Sequence, residues 1–410
     1  MARRLVALYG GPNIPDLLAY PTNTTITVDT APPAGPSGPA FSLVGKLGSD
    51  TGFLGSPNIE PTYTVPSGIV WVVGRWWRTN HTPTGTDQVG IISTGGAAGT
   101  AQYFTMKNDG GAWRFKVYTQ IGGTLLASSI NTFSANTWLG FRFQWDGSRF
   151  IAWIDSGSGF VEEVNFAHTL KKNTAGASFA AQTGVAGKTR WWRDWAMFVG
   201  DDGPDRPDRN VDTAMLAPNQ NSAADDGTYN DYTPIGTGSW RYDRWDDWAS
   251  GANDGDTTYL RGDSAEAGTQ RQSSNLTTYT FTGTIHGVRV HVLMRENVAG
   301  KGIIVYVTTR SGGVDYEVSV GPAGWIYDTY QPGLVLFSDG TGYGPASWAQ
   351  SDIDALEAGS RRDPLNPDAH IFATAMAVEG CSVGNDPGPS LYRVPGLRLP
   401  RQAVSRASRW

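Results

Sequence analysis

The 410-residue chain carries a formal net charge of −6, 52 glycines, 24 prolines and 16 tryptophans, with only 17% charged residues. An acidic balance excludes a protein that coats nucleic acid, since phosphate neutralisation needs a broad basic surface; the single cysteine, Cys381, excludes intrachain disulfides and cysteine-built metal sites. Gly10, Gly11 and Pro12 cut the apolar run Leu5 to Tyr9 short of a signal-peptide core or a membrane span, so synthesis in the cytoplasm without export or membrane insertion is expected.

Two or three domains of ~100–200 residues suit this length, and the glycine, proline and aromatic content suits all-β structure with many tight turns. Residues 1–40 include APPAGPSGPA from Ala31 to Ala40, build no core and read as an extended N-terminal arm. Residues 41–204 form a first β-sandwich, with strands predicted at Ile69–Arg78, Gln88–Thr94, Tyr103–Lys107, Trp113–Gln120, Trp138–Asp146 and Arg149–Asp155. Trp138, Phe141, Phe143 and Trp145 do not share one face by strict alternation, so either both faces are covered or Trp138 precedes the strand. Trp76-Trp77 and Trp191-Trp192 are adjacent pairs, each sending one ring to the core and one outward. The outward rings pack between domains, meet a neighbouring subunit or stack on sugar.

Residues 205–253 read as an irregular Trp- and Asp-rich connector containing Trp245 and Trp248, which join the same set of interface or glycan-stacking candidates. A second β-sandwich spans 254–362. In Ile285–Met294, Val288, Val290 and Val292 point one way and Arg289, His291 and Leu293 the other, as a half-buried strand requires. Ile303–Thr309 and Val314–Val320 flank Ser311, Gly312 and Gly313 as a hairpin. A short helix is predicted near 351–358, capped by Ser351 and stopped by Gly359. From 363 to 410 the chain reads as a Pro/Arg-rich C-terminal arm, with Arg398, Arg401, Arg406 and Trp410 contacting an acidic neighbouring surface.

Candidate chemistry is sparse. A glycanase needs two carboxylates ~5–9 Å apart on one face, whereas Glu162 and Glu163 are adjacent and face opposite sides of a strand, and Asp146 and Asp155 sit in predicted turns. Asp201, Asp202 and Asp205 in one loop, and Asp254 and Asp256 in another, offer the oxygen ligands of a structural calcium; otherwise they cap turns. His286 and His291, five apart on a predicted strand, are expected on opposite faces, and Arg261-Gly262-Asp263 is read as a chance tripeptide.

Two stretches resemble known families. NTWLGFRFQWDGSRFIAWIDSG from Asn136 to Gly157, followed by TRWWRDWAMFVG from Thr189, resembles the concanavalin A-like or laminin-G-like jelly roll, but without the Glu-x-Asp-x-x-Glu strand of that family's glycanases. The words DGDTTY, TYTF, GTIHGVRV and ALEAG, between Asp254 and Gly359, resemble a module of tailed-bacteriophage structural proteins. That resemblance implies a non-enzymatic, surface-exposed virion component: a head decoration or spike, or a tail-fibre or baseplate part. Its implied partners are other virion proteins, copies of itself and host surface polysaccharide. The alternatives are a lectin-like carbohydrate-binding protein and a glycoside hydrolase.

Overall fold

The structure, a computed structural model, describes residues 4–9, 26–29, 44–47, 70–79, 81–85, 88–93, 103–119, 123–145, 148–167, 178–179, 190–199, 211–216, 218, 226–236, 244, 257–262, 269–296, 304–320, 331–338, 343–363 and 370–384. They form two β-sandwiches. The larger sheet of the first holds β1 (Arg4–Tyr9), β2 (Ile26–Asp29), β3 (Val44–Leu47), β4 (Val70–Thr79), β9 (Leu139–Trp145), β10 (Arg149–Asp155), β11 (Phe160–Ala167) and β13 (Arg190–Val199), in the order β11-β10-β9-β4-β13-β3-β2 with β1 beside β13. Opposite lies β12-β5-β6-β7-β8, made of β5 (Gln88–Ser93), β6 (Tyr103–Asp109), β7 (Ala112–Tyr118), β8 (Leu125–Ser128) and β12 (Ser178–Phe179).

The second sandwich pairs a six-stranded with a five-stranded sheet. The first of these runs β16-β17-β24-β19-β22 with β14 also on β24, from β14 (Val211–Leu216), β16 (Thr233–Ile235), β17 (Tyr259–Gly262), β19 (Thr284–Glu296), β22 (Gln331–Ser338) and β24 (Ile371–Val383). The other runs β15-β18-β23-β20-β21, from β15 (Asp226–Asn230), β18 (Gln270–Asn275), β20 (Ile304–Ser311), β21 (Val314–Ser319) and β23 (Glu357–Asp363). One short helix, α1 (Gln350–Asp354), precedes β23.

Period-two alternation builds both cores. In the first, Phe143 stacks on Phe115 at 5.1 Å and Phe104 on Phe150 at 5.0 Å between centroids, offset arrangements that add to the area buried. Trp138 lies outside β9, which begins at Leu139, while Arg142 and Gln144 on that strand's other face are also buried; both alternatives for this segment therefore apply. In the second, Val288, Val290 and Val292 of β19 meet Val305 and Val307 of β20, all at 2% exposure or less. A fully buried side chain of this size contributes ~1.5–3 kcal/mol.

The two sandwiches share a third core. Trp71, Val73, Ile151, Trp153, Ala196 and Phe198 on the outer face of the eight-stranded sheet are buried with Leu336, Cys381 and Val383 of the second sandwich. Leu5 and Leu8 of β1 belong to the same cluster and are fully buried. Strand β19 is therefore covered on both faces rather than one: Arg289, His291 and Leu293 are fully buried, and Arg289 reaches β1 of the first sandwich.

Several boundaries differ from the sequence expectation. Within the expected N-terminal arm, β1 pairs with β13; within the expected connector, β14 pairs with β24. Within the expected C-terminal arm, Ile371–Val383 form the central strand β24. The Ser311-Gly312-Gly313 hairpin is present, with Gly312 and Gly313 at φ +55° and +81°, the left-handed pair that a tight two-residue turn demands. Helix α1 is shorter than predicted: Ala349 is its N-cap, the Asp352 carboxylate accepts the Ala349 N–H at 2.8 Å, and the chain is already in β23 by Glu357. Gly359 is no helix stop. It lies inside β23, where a Cβ would stand 1.8 Å from the Gln272 carbonyl oxygen of β18.

Candidate functional site

The calcium, interface and arm candidates divide into two groups. Asp201, Asp202, Asp205, Asp254, Asp256, Trp245, Trp248, Arg398, Arg401, Arg406 and Trp410 lie outside the described residues. For Trp76, Trp77, Trp191 and Trp192 the backbone is described and the side chains are not; Trp77 is the register partner of Trp192, Trp76 of Arg193 and Trp191 of Arg78. Among the described residues no three His, Cys, Asp or Glu side chains gather as metal ligands.

The carboxylates of the first sandwich are engaged in local structure. Glu163 is buried and accepts the Asn131 backbone N–H and Nδ2–H, both at 2.8 Å, while neighbouring Glu162 is exposed and accepts Asn165 Nδ2–H. Asp155 accepts the N–H groups of Gly157 and Gly159 at 2.7 and 2.9 Å, which accounts for an acid at that turn. Arg261 and Gly262 belong to β17, with Gly262 against the Tyr232 ring, so that part of the tripeptide is sheet rather than loop tip.

The histidine expectation is corrected. A bulge between Ile285 and Gly287 breaks the alternation, and His286 sets its ring edge-on to Phe198 of the first sandwich at 5.3 Å. His291 faces that sandwich as well, its Nε2 3.1 Å from Glu379, so both histidines lie on one side of β19. The Arg289 guanidinium, 3.8 Å from Glu379, donates to the Leu8 carbonyl, which ties β1 to the second sandwich.

The densest surface chemistry lies on the outer face of the five-stranded sheet. Alternation on β18, β20, β21 and β23 turns Arg271, Arg310, Asp315, Glu317, Glu357 and Arg361 outward, and register sets Arg310 beside both Asp315 and Glu357. Asp315 accepts Arg310 at 2.6 Å, Arg271 at 2.9 Å and the Tyr229 hydroxyl at 2.5 Å. Glu317 bridges Arg271 at 3.0 Å and Arg361 at 2.9 Å, and Arg361 also reaches Asp363. Glu357 is held by the Thr228 N–H and hydroxyl at 2.6 and 2.7 Å and by the Ser273 hydroxyl at 2.8 Å. The Tyr229 ring lies under the guanidiniums of Arg271 and Arg310, 4.9 and 5.7 Å from its centroid.

Electrostatics follow from this packing. Burial pushes the Asp315 carboxyl up, but the hydrogen bonds from Tyr229 and Arg310 outweigh it and hold the group below the usual carboxylate range. The bond to Asp315, with burial second, pushes the Tyr229 phenol up. Between these side chains lies a small cleft lined by Tyr229, Arg271, Ser273, Thr308, Arg310 and Glu357. None of these charged and hydroxyl side chains is a site candidate in the sequence. Only Arg310 and Asp315, flanking a legible hairpin turn, offered a signal as a cross-strand pair.

No protein-family profile matches the chain, and no curated protein is similar to it. Among solved structures, the chain is similar to the catalytic domain of a glycoside hydrolase family 131 protein from Coprinopsis cinerea, at 15% identity and a TM-score of 0.30 over 49% of this chain and 84% of that one. A carbohydrate esterase from the Shiga toxin-encoding bacteriophage phi24B follows at 12% identity and 0.31, over 44% and 89%. A Bauhinia forficata lectin in complex with GalNAc gives 10% and 0.29, over 49% and 99%. Likeness of this degree says nothing about substrate or activity.

Proposed function

We propose that the chain is a non-enzymatic structural component of a tailed-phage particle, displayed on the head as a decoration or spike or on the tail in a fibre or baseplate. The observation that carries this reading is the shared core between the sandwiches, in which Trp71, Trp153 and Phe198 meet Leu336, Cys381 and Val383 with β1 bound at its edge. A largely apolar buried seam of this kind, with Arg289, His291 and Glu379 beside it, makes two domains one stiff body, whereas paired domains that move around a ligand meet through smaller and more polar surfaces. Stiffness is what a load-transmitting particle part requires. The phage-like words between Asp254 and Gly359 supply the class of particle.

The test is retention. Particles purified through a density gradient and washed in high salt should keep the protein at a fixed ratio to the major capsid protein by quantitative mass spectrometry, and antibody labelling should place it on the particle surface. Its appearance only in the soluble lysate would remove the structural role.

A further inference from the structure

Beyond that structural role, and independently of it, we propose that the joint between the sandwiches is a pH-sensitive device, opened when His291 takes up a proton below about pH 6.5. One carboxylate oxygen of Glu379 serves two partners: His291 Nε2 lies 3.1 Å from it and the Arg289 guanidinium 3.8 Å, with all three side chains at 3% exposure or less. Register sets this trio beside the shared core. Arg289 pairs with Leu336 on one side and Glu379 on the other, and Cys381, next along that face of β24, lies in the core with Leu336. The guanidinium donates to the Leu8 carbonyl of β1, so the trio reaches from one sandwich to the other.

Charge decides what a proton does here. With a neutral imidazole, Arg289 and Glu379 offset one another and the trio carries no net charge. Of the strands beside it, β22 sets Leu334 and Leu336 in register with His291 and Arg289, and β14 sets Met215 opposite Glu379, none of them ionisable. On β19 itself, His286 lies edge-on to Phe198, and Arg295 is stacked on Phe372 at 4.3 Å. From the first sandwich, Arg142 pairs with Val73 and Trp153 of the shared core and stacks on Phe160 at 3.7 Å, while Asp155 on the same face holds the Gly157 and Gly159 N–H groups. Arg149 and Glu162 share that face and are exposed. Among the described side chains, carboxylates on this side do not outnumber guanidiniums. An imidazolium would therefore be a buried charge in excess, and the one oxygen that could receive it is already shared with Arg289, whose charge repels it. In the unfolded chain the ring meets water and takes its proton at about pH 6.5. A proton that the seam resists and the unfolded chain accepts makes stability complete above that pH and progressively lost below it. Parting of the two sandwiches, which admits water to the trio and leaves both inner cores closed, relieves the charge with the least disruption.

Cys381 gives a direct reading, being the only cysteine of the chain and fully buried in the shared core. The full-length protein should be labelled with a dipyridyl disulfide from about pH 7.5 to about pH 5, each rate divided by that of the urea-unfolded chain at the same pH. For the parent this ratio should rise about ten-fold or more toward acid, while amide exchange in β20, corrected for its intrinsic pH dependence, stays unchanged. His291→Gln keeps a donor toward Glu379 but takes up no proton, and its ratio should stay flat. No rise in the parent, an equal rise in His291→Gln, or β20 exchange that climbs in step with the labelling, which marks global unfolding, overturns the proposal. Should His291→Gln fail to fold, the parent decides through hydrogen exchange at the imidazole ring carbon, read in the tryptic peptide Val290–Arg295, in which His291 is the only histidine. Exchange that sets in over the same pH range as the labelling supports the device, and a ring that stays protected while labelling rises overturns it. Virion retention is read separately, so loss of one result leaves the other standing.

Discussion

Asp315 concentrates three donors on one carboxylate, from Tyr229, Arg271 and Arg310, and this makes it the acid-sensitive point of the second sandwich. Its folded titration lies below the unfolded value of 3.8, so the stability it contributes is complete above that pH and is lost as pH falls through the folded value. Melting temperature followed from about pH 6 to about pH 2 should fall more steeply below ~4 for the parent than for Asp315→Asn. Parallel curves would take Asp315 out of that role. Gly359 makes a second residue-scale demand. A methyl group there would collide with backbone of β18, the Gln272 carbonyl oxygen at 1.8 Å and the Ser273 Cα at 2.9 Å. Neither atom belongs to a flexible side chain, so β18 and β23 must part, and Gly359→Ala should cost ~1–3 kcal/mol or more in chemical denaturation. A variant as stable as the parent would mean that the strands yield freely.

At the scale of elements, β1 does more than its length suggests. It pairs with β13 of the first sandwich, buries Leu5 and Leu8 in the shared core, and offers the Leu8 carbonyl to Arg289 of the second. Deleting residues 4–9 removes two buried leucines and one acceptor of a buried guanidinium, so a loss of roughly 4–9 kcal/mol is expected. An unchanged denaturation midpoint would show that the strand is dispensable. Strands with one polar face were legible from alternation, as were the Gly312-Gly313 hairpin and the glycine-flanked strands of the first sandwich. Strand β24 was not. Its sequence, IFATAMAVEGCSV, is buried almost throughout, so no polar positions mark its period, and prolines on either side suggested an arm. The outer-face cluster was illegible for a different reason. Arg271, Asp315 and Glu357 lie on strands far apart in sequence, each an ordinary exposed charge until register places them side by side.

At the scale of the whole molecule, four sheets stack with an apolar seam in the middle, so the sandwiches should not melt independently. Calorimetry should give one transition, and Phe198→Ala, which truncates a ring that is 1% exposed, should lower it as a whole by an amount equivalent to ~3–5 kcal/mol. Two separated transitions in the parent would contradict a shared core. The order of the strands along the chain also gives the seam a history. Trp71, Ile151, Trp153 and Phe198 have all been synthesised once the ribosome passes Val199, yet two of the residues that cover them, Cys381 and Val383, belong to β24, the last described strand. At ~5–20 residues per second the first sandwich waits roughly 10–40 s with an aromatic flank uncovered. Nascent chains crowded on one messenger would present that flank to each other, so the yield of soluble protein should depend on how quickly translation completes the C-terminal third.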